Sequence, residues 1–250
     1  MADVAQDRHA HRGTIFVEDA RVLSQDEHPG RQYVMRLRAP LCAARATAGS
    51  FAHVAVDPDI PMRRPLSIMR ADAAEGWIEL LYKVMGDGLN HLATRKTGDT
   101  VNLMGPIGQG FTPDAHRPLA LLIGGGVGIP PMVYLAEVLR TRSAKGFRPF
   151  AIFGSEIPFP FRARPSHIVV PGMPDGVIAC MPLLEDWGIP SRLTSKSGFP
   201  GCHDGFVTDL ARLWLAKLDR PTLDRVQIFT CGPTPMLKAV AALAREFGVA

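Results

Sequence analysis

The sequence predicts two domains: a small antiparallel β-barrel, followed by an α/β domain built on a parallel sheet. Two observations carry this. Up to about Phe111 the chain runs in short strands separated by turn signals, the pattern of a barrel. Beyond Phe111 apolar strands alternate with helical segments, which makes a parallel sheet covered on both faces. The change of period puts the boundary near Thr112-Pro113, giving domains of 13–112 and 113–250 after a polar tail at residues 1–12 that is expected to be disordered.

In the first half, Thr14–Val17 starts a strand and Asp26–Gly30 makes a turn. Gln32–Arg38 alternates polar and apolar residues, as a half-buried strand does. Ser50–Val56 is a further strand, stopped by Asp57-Pro58. Pro65–Met69, Trp77–Val84 and Thr100–Met104 complete about six strands, and only Gly88–Arg95 reads as helix. In the second half the expected strands are Leu119–Ile123, Phe150–Phe153, His167–Val170, Arg192–Thr194 and Val226–Cys231. The expected helices are Pro130–Arg142, Gly176–Trp187, Phe206–Leu218 and Pro235–Phe247, with Ser155–Pro165 irregular.

Composition narrows the function. The 250 residues are 46% hydrophobic, enough for two cored domains. The net charge of +4 comes from scattered residues with no dense basic run, so nucleic-acid binding is not indicated. No apolar run approaches the roughly 18 residues of a membrane span, and Met1–Arg12 lacks the apolar core of a signal peptide. Cys42, Cys180, Cys202 and Cys231 lie far apart, which suggests neither a zinc site nor a disulfide framework. Scattered thiols suit a reducing cytoplasm, and no metal site is expected.

Five motifs carry the chemistry. Leu119–Pro131 runs from an apolar strand through Gly124, Gly125, Gly126, Val127 and Gly128 into a helix start. Such a loop binds phosphate through free N–H groups, or merely connects a strand to a helix. Arg64-Pro65-Leu66-Ser67 offers a guanidinium fork and a hydroxyl to an anion, although Arg64 alone could be an ordinary surface residue. Leu81-Tyr82-Lys83 runs into Gly86-Asp87-Gly88-Leu89, which could serve a planar ring and a pyrophosphate, or form a corner in which glycines only supply positive φ. Gly105–Phe111 reads as a structural turn joining the domains. Cys231-Gly232-Pro233 ends a strand where a flat ring could approach backbone, or Cys231 is simply a small buried thiol.

In this order and spacing, RRPLSI (63–68), LYKVMGDG (81–88), GPIGQGF (105–111), LIGGGVGIPPM (122–132), GCHDGFVTDL (201–210) and CGPTPML (231–237) resemble the ferredoxin–NADP reductase superfamily. More narrowly, they resemble the electron-transfer subunits of class 1B dihydroorotate dehydrogenases. The resemblance covers nearly all of residues 13–248. It implies an FAD-binding barrel and a pyridine-nucleotide domain. Arg64, Pro65, Leu66 and Ser67 would hold FAD, Leu81, Tyr82 and Lys83 would line the flavin, and Gly88 and Leu89 would lie against its pyrophosphate. The family usually has Thr or Ser where Leu89 stands, so only a backbone contact carries over there. Gly124 to Gly128 would hold NAD(P)H, with Cys231, Gly232 and Pro233 beside the nicotinamide. Cys231 is a neighbour of the reacting rings; no general base is required.

Two departures stand out. The family usually carries four C-terminal cysteines that ligate a 2Fe–2S cluster, whereas the sequence given ends at Gly248-Val249-Ala250. A cluster is therefore expected only if the chain continues past Ala250. Where the family offers an acidic residue to a ribose, this chain has Thr194-Ser195-Lys196-Ser197-Gly198. Lys196 would suit a 2′-phosphate, or is simply solvent-facing. The resemblance implies electron transfer from NAD(P)H, through FAD, to an FMN-containing subunit that oxidises dihydroorotate. The alternatives are a free-standing NAD(P)H:flavin or acceptor reductase and a non-catalytic FAD-binding module.

Overall fold

The computed structural model describes residues 13–57, 60 and 62–250. The tail expected at 1–12, and Pro58 of the turn after the third strand, lie outside the described residues.

The first half is a closed six-stranded barrel in the order β1-β2-β5-β4-β3-β6. Its strands are β1 (Phe16–His28), β2 (Gln32–Arg38), β3 (Phe51–Val54), β4 (Arg64–Asp72), β5 (Trp77–Lys83) and β6 (Thr100–Ile107). Every pairing is antiparallel. The long β1 closes the barrel. Phe16–Arg21 pairs with β6 and Arg21–His28 with β2, and a register shift at Val22/Ser24 marks the corner. A bulge there bends one strand from one neighbour to the next. Period-two alternation sends Met35 and Leu37 of β2, Ile68 of β4, and Ile78 and Leu80 of β5 into a fully buried interior. Among the described residues, two α-helices belong to this half: α1 (Pro40–Ala43), a single turn not expected from the sequence, and α2 (Gly86–Ala93).

The second half carries a four-stranded parallel sheet in the order β11-β8-β7-β12. Its strands are β7 (Leu119–Gly125), β8 (Arg148–Gly154), β11 (Ser191–Thr194) and β12 (Val226–Cys231). A 3-10 turn at Gly126–Gly128 joins β7 to α3 (Ile129–Thr141). Helices α4 (Pro182–Asp186), α5 (Val207–Leu215), α6 (Arg220–Leu223) and α7 (Thr234–Phe247) follow. The apolar run of β7 is explained by burial on both faces. Ala120 and Leu122 join a core shared with α3 and the barrel. Leu121 and Ile123 face a second core with α5 and α7. Helix α3 thus lies between sheet and barrel, packed on both β7 and β4.

The stretch 166–187 departs from expectation. His167–Val170 is not a strand. Its backbone is satisfied by distant side chains: His167 N donates to Glu185 Oε1 (2.6 Å), and Arg192 Nη2 donates to the Ile168 carbonyl (2.7 Å). The helix expected over Gly176–Trp187 shrinks to Pro182–Asp186. Pro182 lacks an N–H and fits only a first turn. Ahead of it, β10 (Ala179–Cys180) pairs with β9 (Arg164–Pro165) in a separate antiparallel ladder.

Candidate functional site

Arg64 and Gly88, 24 residues apart in sequence, meet in space. Arg64 opens β4, and α2 begins just past the end of β5, the neighbour of β4 in the barrel. A Cβ built on Gly88 would stand 2.6 Å from Arg64 Nη2 and 2.9 Å from Cζ. Glycine at 88 is therefore what lets the guanidinium lie on the first turn of the helix. Arg64 Nη1 donates to the Met62 carbonyl (2.6 Å), which uses one of five N–H donors. No side chain among the described residues caps the N-terminus of α2, so its first amides point outward with a partial positive charge. A guanidinium beside uncapped amides is an arrangement that can hold a phosphate.

The neighbours of this cradle sort by strand register. Pro65 is exposed, Leu66 buried and Ser67 half-buried opposite Phe51 of β3. Leu81 is buried and Lys83 half-buried on one face of β5. Tyr82 points to the other face and does not reach this surface. Its ring stacks on Tyr33 (centroids 5.5 Å apart), and its hydroxyl donates to Gln25 Oε1 (2.8 Å). Leu89 is half-buried against the core, so position 89 presents no side-chain donor.

The glycine turn and Cys231 form a second cluster. Strand order reverses between β7 and β12, which is where ligands bind in open parallel sheets. Cys231 pairs in register with Gly124. A Cβ on Gly128 would fall on the Cys231 carbonyl, with Gly232 N only 2.7 Å away. One on Gly124 would stand 3.1 Å from Ile129 Cα, and one on Gly125 2.6 Å from Met236 Sδ. Gly126 has open space but a φ of +55°, a conformation that favours glycine. Val127 is exposed at the tip of the turn. Helix α3 has no side-chain cap, and Pro130 and Pro131 have no N–H to offer. The free amides are accordingly those of the turn itself.

Cys231 and Gly232 are half-buried and Pro233 exposed. Burial pushes the Cys231 thiol up, keeping it protonated at neutral pH. Thr230 Oγ1 is buried without a hydrogen-bond partner among the described residues. Met236, which packs against the positions of both Gly125 and Gly232, falls inside the CGPTPML motif but carries no role in the sequence reading. Only its place two residues after Thr234, in the first turn of a helix starting at the strand end, pointed to it.

The two clusters are carried by elements that touch. Strand β5 lies against the Gly126–Gly128 turn. Helix α3 packs on β4, where Arg70 Nη2 of β4 donates to Glu137 Oε1 of α3 (2.8 Å). Tyr134 Oη of α3 donates to the Ala46 carbonyl of the barrel half (3.0 Å). At the β11 end of the sheet, Lys196 Nζ sits 3.7 Å over the Phe206 ring, a cation–π contact. Both flanking hydroxyls are engaged. Ser195 Oγ accepts from Ser197 N (3.1 Å), and Ser197 Oγ donates to the Glu156 carbonyl (2.9 Å). Among the described residues no cluster of His, Cys, Asp or Glu could hold a metal ion. Nor is any helix among them long and apolar enough to cross a membrane.

A closed antiparallel barrel followed by a parallel α/β sheet is the two-domain fold of the ferredoxin–NADP reductases. The fold matches that of an NADH-dependent reduced ferredoxin-NADP oxidoreductase involved in flavin-based electron bifurcation. That match has a TM-score of 0.70 at 24% identity and covers 92% of this chain and 73% of the other. No family profile matches the chain. In sequence it is 33% identical over 234 residues to the electron transfer subunit of dihydroorotate dehydrogenase B (NAD(+)) from Shouchella clausii, covering 90% of this chain and 77% of the relative. The corresponding subunit of Lysinibacillus sphaericus is 30% identical over 238 residues, with 92% and 79% covered. The chain belongs to the family of dihydroorotate dehydrogenase B electron-transfer subunits.

Proposed function

We propose that this chain binds FAD on the barrel, residues 13–112, takes electrons from NAD(P)H bound to residues 113–250, and passes them to a partner oxidoreductase. The observation that carries this is the seam: the helix bearing the glycine turn packs on the strand that begins with Arg64. The Arg64–Gly88 contact and the uncapped start of α2 fit a pyrophosphate. Gly128 packs directly on the backbone of Cys231 and Gly232, which holds the glycine turn against the strand end where the nicotinamide would lie. A bound flavin supplies the exchange between a two-electron donor and one-electron acceptors.

The side chains bind and orient. Arg64 and the amides of α2 neutralise phosphate, while Leu81 and Lys83 face the flavin from β5. The Gly126–Gly128 turn holds the dinucleotide phosphates. The Cys231 thiol stays neutral and packs beside the nicotinamide. Lys196 leaves Phe206 to meet a 2′-phosphate when NADPH is bound. The partner is a dihydroorotate-oxidising subunit, as the names of the relatives suggest; the family resemblance implies that it carries FMN, and a cytoplasmic setting accords with four free thiols. A 2Fe–2S cluster belongs to this chain only if further residues follow Ala250.

The test is the visible spectrum, with iron analysis, of the full-length protein purified alone and with its partner. Flavin absorbance that NAD(P)H bleaches supports the reading, and a colourless protein refutes it. Co-purification with an FMN subunit separates the partnered protein from a free-standing reductase.

A further inference from the structure

Helix α2 has eight residues, too few to be stable alone, so anchors elsewhere set its direction. One such anchor is a single side chain. Gln25, on β1, donates from Nε2 to the carbonyls of Leu92 (3.1 Å), Ala93 (3.1 Å) and Arg95 (2.9 Å). Leu92 and Ala93 lie in the last turn of the helix and Arg95 just beyond it, and the two N–H groups of the amide are shared among the three carbonyls. Carbonyls only accept, so the amide nitrogen must face them and Oε1 must face the other way. There it accepts from the Tyr82 hydroxyl (2.8 Å). Tyr82 is 1% exposed and held in place by stacking on Tyr33. Burial raises its pKa, so it remains a donor throughout the neutral range.

The chain of contacts therefore runs from the barrel interior through Gln25 to the C-terminal end of α2. The amides beside Gly88 lie roughly 7 Å further along the axis. We propose that Gln25 and Tyr82 are positioning residues that aim the N-terminus of α2 at the flavin's pyrophosphate, acting at a distance without touching the cofactor. The observation is that one buried phenol orients one amide, and that amide gathers three carbonyls at the far end of the phosphate-binding helix. It also explains an aromatic residue beside the flavin-facing Leu81 and Lys83 that points away from them. The inference rests on the FAD reading above and assigns Tyr82 a different part in it.

The experiment titrates the flavin-free full chain with FAD and with riboflavin, which has no phosphate, following flavin fluorescence. In Gln25→Met the affinity for FAD falls about tenfold, at the upper end of what helix-end contacts supply, while riboflavin binding stays within about twofold. In Tyr82→Phe the same selective loss is about threefold, and this variant decides the matter if Gln25→Met does not fold. Equal losses for the two flavins would mark a merely structural role and overturn the proposal, as would unchanged FAD binding in both variants. A wild-type chain that binds riboflavin but gains nothing from the phosphates of FAD overturns it as well. A wild-type chain that binds no flavin instead removes the FAD reading itself.

Discussion

The guanidinium of Arg64 occupies the space that a side chain at Gly88 would need, 2.6 Å from the position of its Cβ. This contact makes a discriminating prediction. Gly88 sits inside a helix without positive φ, so Gly88→Ala should not strain the backbone and should raise helix propensity by about 1 kcal/mol. The methyl group instead displaces the Arg64 guanidinium. FAD binding should weaken while the urea midpoint holds or rises. Arg64→Ala should lose more, about 1.5–3 kcal/mol of a charge-assisted contact, or one to two orders of magnitude in the FAD Kd. Full FAD affinity in both variants would remove the cradle from the site.

Gly128 presents the opposite case. A Cβ there meets the backbone of Cys231 and Gly232 rather than a movable side chain, so no rotamer change relieves it. Gly128→Ala should cost at least about 1–3 kcal/mol, as overpacking does, and should slow flavin reduction by NAD(P)H while leaving FAD bound. Urea denaturation and stopped-flow reduction measure the two effects separately.

Lys196 is parked on Phe206 with both neighbouring hydroxyls already bonded. Lys196→Asp should lower the preference for NADPH over NADH, because a carboxylate repels a 2′-phosphate and accepts from a free ribose hydroxyl. The ratio of kcat/KM for the two nucleotides reads this directly. An unaltered ratio places Lys196 outside the nucleotide site.

Alkaline pH should destabilise the fold through its thiols. Desolvation, and then the nearby Glu18, push Cys42 from 9.0 up to about 12. Burial carries Cys180 and Cys202 to about 11. The unfolded thiols ionise near 9.0 while the folded ones keep their protons, so the native state binds more protons and stability falls as pH rises. The stabilisation is whole below about pH 9 and drains away toward 11–12, by at most about 1.4 kcal/mol per pH unit for each thiol. The urea midpoint should drop between pH 8.5 and 10.5 (about two units), and Cys42→Ala should flatten that slope.

What was legible in the sequence was whatever a residue type alone dictates. The glycines at 124, 125, 126 and 128 were legible because a close approach of backbone to its neighbours, or a positive φ, demands that type, and Arg64 stood out only in company with the other motifs. The barrel strands followed from period-two alternation, as Gln32–Arg38 illustrates with its observed bounds. The direction of Tyr82 was not legible, because a one-residue difference in register exchanges the faces of a strand. Gln25 was invisible for a related reason: its partners lie 57 to 70 residues away. The segment around His167 misled because Glu185 and Arg192, remote in sequence, satisfy a backbone that reads locally as strand.

The most direct test of the central claim is an anaerobic titration of the full-length protein with NADH and with NADPH, following flavin absorbance. One FAD per chain, bleached stoichiometrically by at least one of the two nucleotides, is the predicted result. A protein that binds FAD but is reduced by neither would contradict it, because the glycine turn and the Arg64 cradle would then not form one electron-transfer site.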